Sequence, residues 1–215
     1  MVKSLPGIRP SRTVVVDTAC QLISGGIFNI PDTGRPNVKA SHALIQIACW
    51  LQEKMNLEWF AEEQVASSAS LGSGKSENHH ILILIGPGGT GKATVLKAAE
   101  ALIDYFACAE SVRKCAISNA AARLLKGDTL HALCKLPQSD LHQRTGKLSS
   151  QVLKKHRQRW RHAKALEIDE ISMVAPDQLL QADVRIRQAK ENPDMRFGGL
   201  ITVLSGDFLQ LPPIR

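Results

Sequence analysis

ILILIGPGGTGKATVLKAAEALIDYF, residues 81–106, decides how this chain folds. Five consecutive apolar residues, Ile81–Ile85, predict a short strand buried on both faces of a parallel sheet. Val95, Leu96, Ala99, Leu102, Ile103 and Phe106 then recur at helical spacing, predicting a helix over about 91–107. The junction, GPGGTGKA at 86–93, nearly satisfies GxxxxGK[ST] in the strand–loop–helix setting that pattern requires. Glycines at 86, 88, 89 and 91 let the backbone curl so that its N–H groups point at phosphate oxygens. The helix start adds unpaired N–H groups and a positive dipole end. Lys92 reaches the outer phosphates as a mobile charge. The expected nucleotide-binding stretch is therefore Gly86, Pro87, Gly88, Gly89, Thr90, Gly91, Lys92, Ala93 and Thr94. Ala93 stands where a hydroxyl would hold Mg²⁺, and Thr94 is turned ~100° from that position on a helix. Phosphate binding is expected; metal binding and turnover are put in question.

Downstream the chain alternates. Strands are predicted at 115–117, 165–168 and 200–204, with helices at 120–125 and 177–188 between them. Strand–helix repetition with crossover-length connections gives a parallel α/β sheet with flanking helices, and the loop at 86–93 makes it a P-loop nucleotide-binding fold. The third strand runs into Asp169 and Glu170, on the edge where open α/β sheets bind ligands. Asp169 suits the role of Mg²⁺ holder, and Glu170 that of a general base polarising an attacking water. Glu167 places a charge inside the strand. The fourth strand leads into SGDFLQLPP at 205–213, where Gln210 could sense the γ-phosphate and Asp207 hold the loop or the water network.

Upstream, Pro6, Pro10, Pro31, Pro36 and Gly25-Gly26 predict irregular structure over 1–36. Ala43, Leu44, Ile47, Leu51, Met55 and Trp59 predict a helix from 39 to about 66. The polar Gly/Ser stretch 67–80 reads as an exposed loop. Its GKS at 74–76 has Ala69 at the first-glycine position and no strand before it. The expected organisation is an irregular and helical extension over 1–66, a loop over 67–80, and the nucleotide domain over 81–215.

The whole chain has 215 residues, 44% apolar and 22% charged, which excludes wholesale disorder. No apolar run reaches the ~18 residues of a membrane span, so no membrane partner is expected. Five cysteines without a CxxC pair support neither a zinc site nor a disulfide framework; reduced thiols in an intracellular protein are expected. Of a net charge of +7, residues 154–164 (KKHRQRWRHAK) contribute six positive charges and no acid. A basic run around Trp160 fits a phosphate backbone. It fits equally a solvated helix whose Trp160 packs inward.

Four motifs in order resemble the motor domain of the PIF family of DNA helicases over about 56–215. GPGGTGKA is similar to that family's phosphate loop, IDEISMV at 168–174 to its Asp-Glu motif, and GDFLQLPPI at 206–214 to its most specific string. SNAAARLLKGDTLHAL at 118–133 resembles the segment ending in G-x-T-L-H that touches single-stranded DNA. The resemblance implies DNA contacts at Thr129 and His131, with Ser118 and Asn119 near the sugar-phosphate backbone. It implies an adenine-reading role for Gln64, although AEEQVAS around it matches poorly. It further implies a RecA-like domain, ATP and Mg²⁺ as cofactors, and 5′-to-3′ unwinding of single-stranded or forked DNA. DNA repair, recombination and telomere maintenance, in nucleus or mitochondrion, are the implied settings.

Helicases of this type hydrolyse ATP between two RecA-like domains, the second supplying an arginine. The chain is expected to stop before that second domain, as a truncated gene product, a fragment, or a domain that borrows its second half from a partner in trans, and not to unwind DNA by itself. Three readings stand: a helicase motor domain with ATP hydrolase activity, a non-catalytic nucleotide- or DNA-binding remnant of one, and a small-molecule kinase. The last leaves GDFLQLPP unexplained.

Overall fold

The computed structural model describes residues 14–25, 27, 37–66, 79–107, 111–137 and 148–213, the side chains of 14 and 55–66 excepted. They fall into two compact units, Met1–Gly74 and Lys75–Arg215. The loop predicted over 67–80 lies almost wholly outside the described residues.

In the first unit, α1 (Val14–Ser24) packs on α2 (Val38–Ala66). The irregular structure expected over 1–36 is thus corrected: VVVDTACQLIS forms a helix between the proline-bearing flanks, burying Val15 and Ala19. Prolines at 6, 10, 31 and 36 bracket this segment rather than interrupt it. Leu44, Ile47 and Leu51 are buried on α2 at three- and four-residue spacing. Asn37 caps that helix, its Oδ1 accepting from Ala40 N–H at 3.1 Å. Val15 N–H donates to Gln52 Oε1 at 2.9 Å, tying the two helices by a buried bond.

The second unit is a five-stranded parallel sheet in the order β1-β5-β4-β2-β3, where β1 is Ile81–Ile85, β2 Val112–Ala116, β3 Asp128–Thr129, β4 Ala165–Asp169 and β5 Ile201–Gly206. The helices α3 (Lys92–Phe106), α4 (Asn119–Leu124), α5 (Leu130–Cys134), α6 (Ser150–Trp160) and α7 (Pro176–Lys190) flank it. The parallel α/β architecture expected from the alternation is present, with β3 and α5 added in the segment after Ser118.

One expectation fails at β1. ILILI reads as a strand buried on both faces, yet β1 stands at the edge of the sheet among the described residues, and Ile83 and Ile85 are more than half exposed. An unbroken apolar run reports what the side chains tolerate, while position in the sheet is set by strand order. The centre belongs instead to β5, buried along its whole length, and β4.

Side-chain alternation divides β4 cleanly. Leu166 and Ile168 join a core with Leu130, Leu133, Trp160, Ile186, Phe197 and Leu200, between the sheet and α5, α6 and α7. Glu167 and Asp169 take the opposite parity. Along the carboxyl edge the strand ends lie in the order Ile85, Gly206, Asp169, Ala116, Thr129, fixed by their registers. At ~4.8 Å per strand the row spans roughly 19 Å.

Candidate nucleotide and nucleic-acid site

The phosphate loop leaves β1 beside the end of β5, with Gly86 N–H donating to Gly206 O at 3.2 Å. Gly91 precedes α3 with φ +88°, a left-handed conformation that any Cβ would strain. Thr90 Oγ1 donates to Pro87 O at 2.9 Å and closes the loop. Lys92 Nζ donates to Gly86 O at 2.5 Å and Pro87 O at 3.0 Å, so the ammonium is held by its own loop's carbonyls.

A cleft of about 920 Å³ opens from this loop between α3, α4 and the strands beneath. Lys92, Ala93, Thr94, Glu167, Asp169 and Glu170 are among its walls. The structure thus brings together the loop and the Asp-Glu pair predicted from sequence, and places Thr94 on the same cleft as Ala93. Asp169 Oδ1 accepts from Ser205 Oγ at 2.6 Å. Glu170 takes a left-handed backbone, φ +55° and ψ +39°, and its Oε2 accepts from Ser118 Oγ at 3.0 Å. Sequence reasoning named Ser118 only for DNA and did not name Ser205, so it missed both bonds; the one signal is that Ser118 follows β2 by two residues and Ser205 is the penultimate residue of β5.

Deeper in the cleft, Lys114 lies across from Glu167 in the β2–β4 register and pairs with Glu100 of α3 at 2.5 Å. Glu167 is 5% exposed, and its Oε1 has no hydrogen-bond partner among the described residues. Burial, reinforced by the nearby Asp169 and Glu100 carboxylates, pushes its pKa up to about 7 against the pull of Lys114.

Gln210 does not line this cleft. Its Nε2 donates to Asp207 Oδ2 at 3.0 Å, and Asp207 Oδ1 accepts from Leu209 N–H at 3.0 Å. Asp207 therefore holds its own turn, beside the start of the phosphate loop. Gln64 lies on α2, and its side chain is outside the described residues.

The residues expected at DNA occupy the other end of the strand row. Ser118, two residues past β2, caps α4, accepting from Ala121 N–H at 3.2 Å; Asn119 is exposed. Thr129 caps α5, accepting from Ala132 N–H at 3.3 Å, and His131 lies partly exposed on that helix. Gly127 packs so tightly on β2 that a Cβ would come within 2.4 Å of Lys114 O, which explains the glycine before Asp128. Arg159 of the basic helix α6 forms an ion pair with Asp128, tying that helix to this segment. Trp160 is fully buried and His156 nearly so. Burial lowers the His156 pKa to about 4. The aromatic side of the basic run is core; Lys154, Lys155, Arg157 and Arg161 face water.

For Mg²⁺ the cleft offers one hard oxygen donor at this point, the Asp169 carboxylate oriented by Ser205, and none from Ala93. That fits an ion bound through one carboxylate together with substrate phosphates and water. Among the described residues no three His, Cys, Asp or Glu side chains group to hold a metal by themselves, and no helix is long and apolar enough to cross a membrane.

Comparison with known proteins agrees with this layout. ATP-dependent DNA helicase PIF1 of Saccharomyces cerevisiae is 33% identical over 143 residues, covering 65% of this chain and 16% of that protein. ATP-dependent DNA helicase RRM3 of the same species is 36% identical over 131 residues, 60% of this chain and 18% of its own length. Among solved structures, two coordinating Pif1 helicases at forked double-stranded DNA match with a TM-score of 0.53 and 30% identity, over 77% of this chain and 34% of theirs. Pif1 from a Bacteroides species with ADP-AlF4 matches with a TM-score of 0.52 and 28% identity, over 77% and 33%. The chain thus spans a small part of these relatives, about a third of the solved chains and less of the curated ones. The family model described as PIF1-like helicase matches residues 60–215, most of the chain, which belongs to the PIF1-like helicase family.

Proposed function

We propose that this chain is the nucleotide-binding half of a DNA helicase motor, in which ATP hydrolysis drives 5′-to-3′ movement on single-stranded or forked DNA. The observation that carries the reading is the shared cleft, where the phosphate loop and Asp169-Glu170 meet at the carboxyl edge of one sheet. In this reading, the backbone N–H groups of 86–94 cradle the phosphates. Lys92 exchanges its loop carbonyls for phosphate oxygens. Asp169, oriented by Ser205, would hold Mg²⁺, which neutralises charge building on the phosphates. Glu170 takes a proton from the attacking water. Gln210 senses the γ-phosphate, and Gln64 reads adenine. Ser118, Asn119, Thr129 and His131 contact DNA. A second RecA-like domain, from a longer chain or in trans, supplies an arginine worth ~10³–10⁵ in rate in comparable hydrolases. The proposed domain organisation keeps 81–215 as the RecA-like unit, 1–66 as its extension and 67–80 as the loop between. An intracellular setting in nucleus or mitochondrion, and work in repair, recombination and telomere maintenance, follow from the family alone.

The test is Mg²⁺-dependent ATP turnover by residues 1–215, with and without single-stranded DNA, beside Glu170→Gln. Turnover that DNA stimulates and Glu170→Gln lowers ~10²–10⁴-fold is expected. ATP binding without any turnover would identify a phosphate-binding remnant instead.

A further inference from the structure

Ser118 and Glu170 belong to different motifs, 52 residues apart, yet share one hydrogen bond of 3.0 Å. The register brings them together: Ala116 of β2 lies across from Asp169 of β4, so Glu170, one residue past β4, and Ser118, two residues past β2, leave the same edge of the sheet side by side. Ser118 does two things with one hydroxyl. Its oxygen accepts from Ala121 N–H and starts α4, while its proton goes to Glu170 Oε2. A serine hydroxyl has a single proton, so it donates to one acceptor at a time. In the helicase reading a nucleic-acid phosphate contacts Ser118; it competes for that same hydrogen bond, and its negative charge repels the carboxylate that accepts it. Glu170 also sits in a left-handed backbone that a residue with a Cβ adopts at a cost, a strain that surrounding contacts must sustain.

We propose that Ser118 is a positioning residue whose hydroxyl holds the Glu170 carboxylate on the β2 side of the cleft until a DNA phosphate accepts that hydrogen bond in its place, releasing the carboxylate toward the nucleotide. This deepens the helicase reading and rests on it: it assigns to one hydrogen bond the coupling between strand binding and nucleotide hydrolysis. Coupling of this kind is reciprocal, so nucleotide that draws the Glu170 carboxylate away from β2 frees Ser118 for DNA.

The experiment measures affinity for fluorescein-labelled oligo(dT), with and without Mg²⁺ and a non-hydrolysable ATP analogue, in the full chain and in three variants. Ser118→Gly removes the hydroxyl while glycine remains tolerated at a helix N-cap. Ser118→Thr keeps both hydrogen bonds. Glu170→Ala removes the acceptor and leaves the cap untouched. In the parent the analogue is expected to tighten DNA binding about fivefold or more. Ser118→Gly should bring that ratio close to one, and Ser118→Thr should restore it. Glu170→Ala should tighten DNA binding without nucleotide, a readout that survives if Ser118→Gly fails to fold. In turnover assays Ser118→Gly should raise DNA-free hydrolysis and flatten its stimulation by DNA. A parental ratio kept in Ser118→Gly, or a fall in its DNA-free turnover, overturns the proposal. So does a parent that binds both ligands without coupling. A parent that binds neither ligand overturns the helicase reading itself, a separate and recognisable failure.

Discussion

The phosphate loop and the acid end of β4 face the same cleft but are held in opposite ways. Thr90 and Lys92 bond to carbonyls three to six residues back in their own loop. Asp169 and Glu170 are held by Ser205 and Ser118, 36 and 52 residues away. The loop is a local object: a strand, a run of glycines and a helix start suffice to build it. The acids are oriented by topology, because the sheet order sets β5 on one side of β4 and β2 on the other. Damage to the loop should therefore remove nucleotide binding, and damage to the hydroxyl partners should change what the bound nucleotide does.

The largest effect should come from the local side. Lys92→Ala removes the charge-assisted bonds to phosphate and should weaken ATP binding ~100-fold or more in a fluorescent-nucleotide titration. Retained affinity would break the contrast by taking the loop out of binding.

Glu167 tests the tertiary side through stability. Its pKa in the folded chain is about 7, above the ordinary 4.5, so the folded state holds the proton more tightly than the unfolded one. The stabilisation linked to that proton is complete below about pH 4.5 and is lost as pH rises toward 7. An upper figure is on the order of 3 kcal/mol. Urea melts at pH 5 and pH 8 should show the drop, and Glu167→Gln should flatten it. An equal drop in the variant would assign it to other groups.

Two smaller effects sharpen the comparison. Lys154→Glu with Lys155→Glu, on the exposed side of α6, should weaken single-strand binding about tenfold and make it less salt-dependent. An unchanged salt slope would leave that face merely solvated. Ala93→Ser should tighten Mg²⁺-dependent nucleotide binding about two- to tenfold, the scale of one added polar contact. No change would mean that Asp169 and the phosphates already meet the metal's needs.

How much of this was legible depends on the range of the interactions. The phosphate loop, the strand–helix alternation and the Asp-Glu pair are short-range patterns, since periodicity and glycine placement act within one element. The helix at 14–24 was hidden because prolines on both sides gave the whole segment an irregular look. The edge position of β1 was hidden because ILILI carries no information about its neighbours. β3, two residues long, has too little sequence to show any period.

By itself, then, the amino-acid sequence determined the parallel α/β class, the phosphate loop with its Ala93, the acids at the end of a strand, and the motif series shared with the family. Tertiary structure alone decided that β1 lies at the edge, that Glu167 is buried against Lys114, that Trp160 is core, and that Ser118 and Ser205 hold the two acids. The first group follows from interactions within a few residues along the chain. The second follows from strand order and register, which juxtapose groups dozens of residues apart and which no local pattern encodes.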